Sequence, residues 1–506
     1  MRRNQIGFGA LLSYISIGIN ILAGLVYTPW MINQIGKSDY GLYTLANSLI
    51  TLFLVDFGLS AATARYVSKY VAEGKQEKAN DFLGAVYKLY LIVDTVIFAA
   101  LIIIYFFVDK IYVNLTPDEI TKFKVVYGIA AIYAVINFPF VTLNGILTSY
   151  EKFIQLKLAE IFQRVLMVSL TVIALLCGLG LYSLVTVNAI AGIVMIIYKY
   201  IIIRKTTPVK VNFCKNDRSM YKSIFMFSFW ATVSTLAQRM VFNITPTILG
   251  IVANSTAIAV FGVVTTIEAY SYMITSAING MFMPKISRIY ANGGDGDIMP
   301  LMIKVGRFQF ALNGLIVIGF VLVGKSFISL WMGDDFLEAY IGIFLVIIPG
   351  MFYNPLQIAN TAMTVQNKVK EQAIINLLTG VFNIICSFIL STKFGVIGAC
   401  FSIFLAYSFR ALLYHIVCKK IMELNMLHFI KKCYFKVLPC MIFTIISGCI
   451  MNFIIECNGW MFFVLKALLI FIFFVIGIWF FSLQKQERKW VFEFFKSRLN
   501  RVIENL

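Results

Sequence analysis

Apolar runs recur along almost the whole chain, and they constrain what it can fold into more than any other feature. Between residues 8 and 482, stretch after stretch reaches or passes the ~20 residues that a helix needs to cross a bilayer. Of the 506 residues, 60% are hydrophobic and 13% charged, and a soluble chain carries about twice that charged fraction. The runs are rich in Ile, Val and Phe, yet they are long and lack alternating polar positions, which excludes a lipid-facing barrel. Inside lipid, each backbone N–H and C=O must be satisfied within its own segment, so the runs are helices. The sequence predicts an all-α polytopic membrane protein.

Fourteen spans are expected, near 8–33, 40–62, 84–107, 123–148, 157–178, 181–203, 223–249, 256–283, 304–324, 339–364, 373–392, 395–418, 434–455 and 460–482. Part of this series is written twice. Thr28-Pro29 answers to Thr245-Pro246, Tyr43 to Phe261, Arg65 to Lys285, Tyr70 to Tyr290 and Gly74 to Gly294. Further on, Pro139 and Asn144 answer to Pro355 and Asn360, and Gly180 to Gly395. One shared spacing implies two homologous halves of six spans each. Six is even, so both halves have the same orientation and are expected to be related by a pseudo-two-fold axis along the membrane normal. The expected division is an N-terminal lobe, 1–203; a basic linker, 204–222; a C-terminal lobe, 223–418; two added spans within 419–482; and a tail, 483–506, suited to an amphipathic helix on an anionic leaflet.

Charge sets the expected orientation. The segments 1–7, 63–83, 149–158, 204–222, 284–307, 365–372, 419–436 and 483–506 hold 31 of the 43 Lys and Arg. Placed on one side, they satisfy the positive-inside rule and put both termini in the cytoplasm. The +19 net charge is spread over eight segments, so it reads as topology and not as a nucleic-acid footprint. Met1-Arg2-Arg3 leads into an apolar run without a small-residue cleavage site, so the first span is expected to be retained.

The usual signatures of catalysis are missing. There is no Walker-type GxxxxGK[ST], GxSxG or HExxH motif. Gly293-Gly294-Asp295-Gly296 reads as a turn. The nine cysteines are scattered without a CxxC pair, as small apolar residues are. His415 and His428 fall near a membrane interface and read as snorkelling side chains. The short outer loops leave no room for a catalytic domain. No catalytic residue, metal or cofactor is expected, and the chain is not expected to be an enzyme.

What remains is charge inside the spans, where an ionisable group costs at least ~2.5 kcal/mol and normally faces a cavity or a partner. Lys88 and Lys199 lie within snorkelling reach of the surface. Glu160 and Arg164 are i,i+4 and suited to pair. Lys466 lies in an added span, near the outer surface. Asp56, Asp94, Arg239, Glu268 and Arg410 are harder to dismiss. Arg239 has Gln238 beside it and Asn243 one turn on, and Arg is the side chain suited to gripping phosphate with two parallel hydrogen bonds. The alternative is a structural Arg239–Glu268 ion pair. The candidate cavity set is Arg239, Glu268, Arg410, Arg164, Gln238 and Asn243, with Asp56, Asp94 and Glu268 as candidate ion-coupling carboxylates.

One stretch carries a family resemblance. Pro29, Gly36, Tyr40-Gly41-Leu42-Tyr43, Asp56-Phe57-Gly58-Leu59 and Arg65-Tyr66 occur in an order that resembles the opening of bacterial polysaccharide (O-antigen-type, Wzx-like) flippases. These belong to the multidrug/oligosaccharidyl-lipid/polysaccharide (MOP) exporter superfamily. The weaker echo ends in Pro284-Lys285-Ile286-Ser287. The resemblance covers the first twelve spans. It implies two six-helix lobes around a central cavity, and alternating access. It implies an undecaprenyl-diphosphate-linked oligosaccharide as substrate, moved from the inner to the outer leaflet of the bacterial cytoplasmic membrane. It also implies membrane lipids, a polysaccharide polymerase and other assembly proteins as partners. Two alternatives stay open: a MATE-like exporter of drugs or other small organic molecules on the same fold, and a non-transporting scaffold.

Overall fold

The computed structural model describes the backbone of residues 2–213, 218–276, 279, 282–291, 298–456, 459–483 and 488. Side chains are described for these except 2–15, 218–220, 222–228, 284 and 291. The Gly293–Gly296 turn and nearly all of the tail expected at 483–506 lie outside the described residues.

Every regular element is helical among the described residues. In chain order they are α1 (Arg2–Ile35), α2 (Lys37–Phe53), α3 (Leu59–Ala72), α4 (Gln76–Ile111), α5 (Pro117–Asn137), α6 (Thr142–Ser149), α7 (Phe153–Leu176), α8 (Gly180–Thr206), α9 (Arg218–Phe242) and α10 (Thr245–Val252). There follow α11 (Ser255–Ser276), α12 (Met283–Ala291), α13 (Ile298–Met332), α14 (Glu338–Tyr353), α15 (Gln357–Val365), α16 (Val369–Ile421), α17 (Met426–Ile454) and α18 (Trp460–Gly477). Ten helical runs among the described residues are long and apolar enough to cross a membrane, and the protein is a multi-pass membrane protein. One of the ten, α16, contains two of the expected spans in 53 residues, bent where Gly395 takes φ 55° and ψ −131°. The first, second and seventh expected spans are helical as α1, α2 with α3, and α9 with α10, but are not among the ten.

Local chemistry explains the breaks. Between α2 and α3, Phe57 (φ 51°) and Gly58 (φ 66°) are both left-handed, a conformation a β-carbon resists. The Asp56 carboxylate accepts the Ser60 N–H at 3.3 Å, one of the first N–H groups of α3. At α5, Thr116 and Glu119 form a reciprocal capping box and Pro117 takes the first helical position. Pro246 sits at the start of α10, where its missing N–H costs nothing.

The two halves repeat their irregularities. Pro139 lies in a 3-10 turn (Phe138–Val141) before short α6, and Pro355 lies in another (Asn354–Leu356) before short α15. Glu151 (φ 56°) and Asn367 (φ 60°), then Gly180 (φ 58°) and Gly395 (φ 55°), are left-handed at matching places.

Packing groups the chain into two compact units: residues 1–273 with 368–406, and residues 274–367 with 407–506. These units cut across the expected lobes, 1–203 and 223–418, because α9 to α11 pack with helices of the first half. At Gly41 of α2, an added β-carbon would stand 2.0 Å from the Ser255 carbonyl oxygen, so only glycine permits this approach to α11. The first unit is cored by residues such as Leu42, Leu45, Phe82, Tyr90 and Phe123, none more than 1% exposed. In the second, Tyr434 packs its ring against Phe310 and Phe429, at 4.8 and 5.5 Å between centroids. Large apolar side chains such as Ile92, Val96 and Ile103 of α4, and Phe453 of α17, are exposed, as lipid-facing residues are.

The segment expected as a linker is helical to Thr206 and again from Arg218. Between them the backbone lies along the start of α4. Asn212 donates its N–H to the Asn80 carbonyl (3.2 Å) and its amide to Asp81 (2.7 Å). Lys210 N–H reaches Asn80 Oδ1 at 3.0 Å. A β-carbon on Gly84 would meet the Asn212 carbonyl oxygen at 1.7 Å.

Candidate functional site

In the first unit, the break between α2 and α3 organises the charged groups. Asp56 is held there by the Ser60 N–H and by the Tyr90 hydroxyl of α4, which donates to its Oδ1. Arg239, near the end of α9, donates from Nη1 to the Thr51 carbonyl, in the last turn of α2. The carboxylate whose charge acts on Arg239 is Asp56. Glu268, on α11, is half-buried and has neither an ion pair nor a hydrogen bond among the described residues. The Arg239–Glu268 ion pair offered as the structural alternative is therefore not formed. Gln238 is exposed, and Asn243 returns its N–H to the Arg239 carbonyl at 2.9 Å.

Arg164 of α7 is not paired with Glu160, which instead meets Lys157 at 2.7 Å. The i,i+4 expectation fails because Arg164 turns toward three tyrosines. It lies within electrostatic reach of the hydroxyls of Tyr27, Tyr43 and Tyr270, from α1, α2 and α11, and its Nε is buried without a partner. Tyr43 in turn has Asn47 beside it. A guanidinium has only donors to offer. No carboxylate among the described residues pairs with Arg164, so its donors can serve an anionic oxygen.

Asp94 lies one turn beyond Tyr90 on α4. It is 9% exposed and its Oδ1 has no hydrogen-bond partner. A buried carboxylate with an orphaned oxygen is costly unless it takes up a proton or a cation.

Arg410 belongs to the second unit and has its own surroundings. It is 5% exposed, donates from Nη2 to the Tyr353 hydroxyl at 2.7 Å, and has the rings of Tyr353, Tyr407 and Tyr414 at 4.1, 5.4 and 5.9 Å. Tyr414 is anchored by its hydroxyl on Asn360 at 3.0 Å. Aromatic faces, not a carboxylate, hold this cation.

Two lysines within the spans have amide partners. Lys199 donates to Asn144 Oδ1 at 3.0 Å. Lys466 is 5% exposed and donates to Asn452 Oδ1, also at 3.0 Å. The tyrosines around Arg164 and Arg410 were missed because nothing in their spacing marks them. Among the described residues, no group of three His, Cys, Asp or Glu side chains stands together as a metal site would.

The Ser38 end of α2 is closed against α11. Ser38 and Ser255 lie 3.0 Å apart, oxygen to oxygen, and both donate to Glu119 Oε1 at the start of α5. Lys122 and Asp39 add an ion pair of 2.8 Å.

The profile of the family described as polysaccharide biosynthesis protein matches residues 7–290. An uncharacterized membrane protein (MJ1068) of Methanocaldococcus jannaschii is 21% identical over 416 residues, 78% of this chain and 80% of the relative. Among solved structures, the lipid II flippase MurJ in an inward closed conformation is similar with a TM-score of 0.75 at 14% identity, over 93% of this chain and 97% of that one. An inward-facing multidrug resistance MATE-family transporter of the MOP superfamily gives a TM-score of 0.69 at 12% identity, over 82% of this chain and 98% of that one. The chain belongs to the polysaccharide biosynthesis protein family, and its fold is that of the MurJ flippase and MATE transporter structures of the MOP type.

Proposed function

We propose that the protein carries an undecaprenyl-diphosphate-linked oligosaccharide from the inner to the outer leaflet of the bacterial cytoplasmic membrane, for surface polysaccharide synthesis. The observation that carries this reading is a pair of half-buried arginines, Arg164 and Arg239, with no ion pair among the described residues. Arg164 has tyrosine hydroxyls for company, and Arg239 a backbone carbonyl and the more distant charge of Asp56. A diphosphate would take their donors, and tyrosine hydroxyls suit sugar hydroxyls. Membership of a polysaccharide biosynthesis family supports a glycan cargo. The likeness to a lipid II flippase supports a lipid-linked one.

The cycle is alternating access, with both termini in the cytoplasm and the Ser38 end toward the outside. The closed contacts of Ser38, Ser255 and Glu119 belong to the inward-facing half of that cycle. Asp94 and Glu268 are the coupling carboxylates, since neither has a partner that fixes its charge. Asp56 is the weaker candidate, because Tyr90 and the Ser60 N–H already hold it. The flipped glycan passes to a polymerase and other assembly proteins.

A second reading, export of small organic cations, is favoured by one observation: Glu268 is an unpaired acid on a tyrosine-bearing helix. Both are tested in vesicles holding the purified protein, with a fluorescent lipid-linked sugar and, separately, a fluorescent organic cation, each with and without proton or sodium gradients. Movement of the lipid-linked sugar supports the first reading. Movement of the cation alone overturns it.

A further inference from the structure

The second unit contains a cavity of about 990 Å³ that the arginines discussed above do not touch. Its walls come from α12, the first turns of α13, the start of α17 and the π-helical turn Ile478–Ser482 that follows α18. The basic residues lining it are Lys285, Lys304 and Arg307, with His428 beside them, and no carboxylate among the described residues lines it. The rest of the wall is almost wholly apolar, with Phe308, Val437 and Ile478 as examples.

Three helices begin at this cavity. Lys285 lies in the first turn of α12, Met299 to Leu301 in that of α13, and His428 in that of α17. Helix starts carry partial positive charge, which adds to the sign of the side chains; at α17 the His428 N–H itself is taken by Asn425 Oδ1 at 3.0 Å. Ser482 also lines the cavity. It is 7% exposed, with the Cys440 thiol beside its hydroxyl. A basic head region joined to an apolar wall fits neither water nor a free inorganic anion. It fits an amphiphile with a phosphate head.

We infer that this cavity binds an anionic phospholipid of the surrounding bilayer, with the phosphate on Lys304, Arg307 and Lys285 and the acyl chains along the wall formed by α13, α17 and the π-turn. Phosphate takes the donors of Lys and Arg in a partly dry site. Acyl methylenes that leave water for the apolar wall add to the binding. The bases of α12 and α13 lie at the end expected on the cytoplasmic face, where anionic lipids gather. The site separates the added spans, α17 and α18, from a purely mechanical role: they complete a lipid-binding wall.

The test is lipid retention by the full chain, purified in detergent and measured by native mass spectrometry. Phosphatidylglycerol is expected to be retained at least tenfold better than phosphatidylcholine of the same chain length. The Lys304→Gln/Arg307→Gln variant should lose that preference, and Lys110→Gln, a base on α4 outside the cavity, should keep it. Ala311→Leu fills the cavity without altering charge and should also release the lipid. It serves if the double variant fails to fold. Millimolar inorganic phosphate should not displace the lipid. Displacement by phosphate alone would reduce the site to an anion site and overturn the inference. So would equal retention of both lipids, or preferential capture of a polyprenyl diphosphate over phosphatidylglycerol. Binding is read without transport, so either result leaves the flippase reading to its own assay.

Discussion

Ser38 and Ser255 stand 217 residues apart in the chain, and their hydroxyl oxygens meet at 3.0 Å. The same interval links Thr28 to Thr245 and Pro29 to Pro246. Glu119 accepts from both serines there. If the closed end opens during transport, this contact must break. Ser38→Cys/Ser255→Cys, cross-linked by a short thiol-specific reagent, should cut flipping at least tenfold, and a reducible linker should restore it. Full activity at complete cross-linking would remove these helices from the moving gate.

Arg239 is expected to act on substrate. Arg239→Gln should abolish movement of the lipid-linked sugar while leaving insertion and folding intact, and Arg239→Lys should keep part of it, as a point charge in place of a fork. Adding Glu268→Gln should not rescue the Gln variant, since the two are not paired. Near wild-type flipping by that double variant would end the phosphate-binding role.

Much of this was legible in the sequence, and the limits have physical causes. Span length and the spacing of Pro139 with Pro355 and Gly180 with Gly395 gave the helical architecture and its repetition, because backbone exceptions demand particular residues. The partners of the buried charges were not legible. Glu160 has Arg164 at i+4 and Lys157 at i−3, and sequence spacing cannot tell which way a long side chain swings. Nor does spacing show that Tyr27, Tyr43 and Tyr270 from three helices converge on Arg164. The cavity of Lys285, Lys304, Arg307 and His428 was hidden for the same reason: it joins helices over 140 residues apart in the chain.

Asp94 should separate coupling from folding. Asp94→Asn removes a buried, partly orphaned charge, so thermal stability should hold or rise by about 1 kcal/mol. Flipping in vesicles should become indifferent to an imposed ion gradient. Unchanged gradient dependence, in a folded variant, would place coupling at Glu268 instead.

The tyrosine box around Arg410 predicts a stability effect. Arg410→Gln loses ring contacts worth about 2 kcal/mol when desolvated and leaves the Tyr353 hydroxyl without its donor. Its melting temperature should fall by several degrees, with Arg410→Lys intermediate. A melting temperature equal to wild type for Arg410→Gln would mean the box contributes nothing to folding.

The strand of chain at 207–213, laid against α4 through Asn80, Asp81 and Gly84, decides where this protein can be cut. A reporter inserted there would have to peel a packed strap away from a helix, so the position is a poor one for tags despite its place between the halves. Two fragments meant to reassemble inside a cell should be divided after Phe213. The first fragment then keeps the strap that covers its own Asp81. A division after Thr206 would hand that strap to the wrong piece.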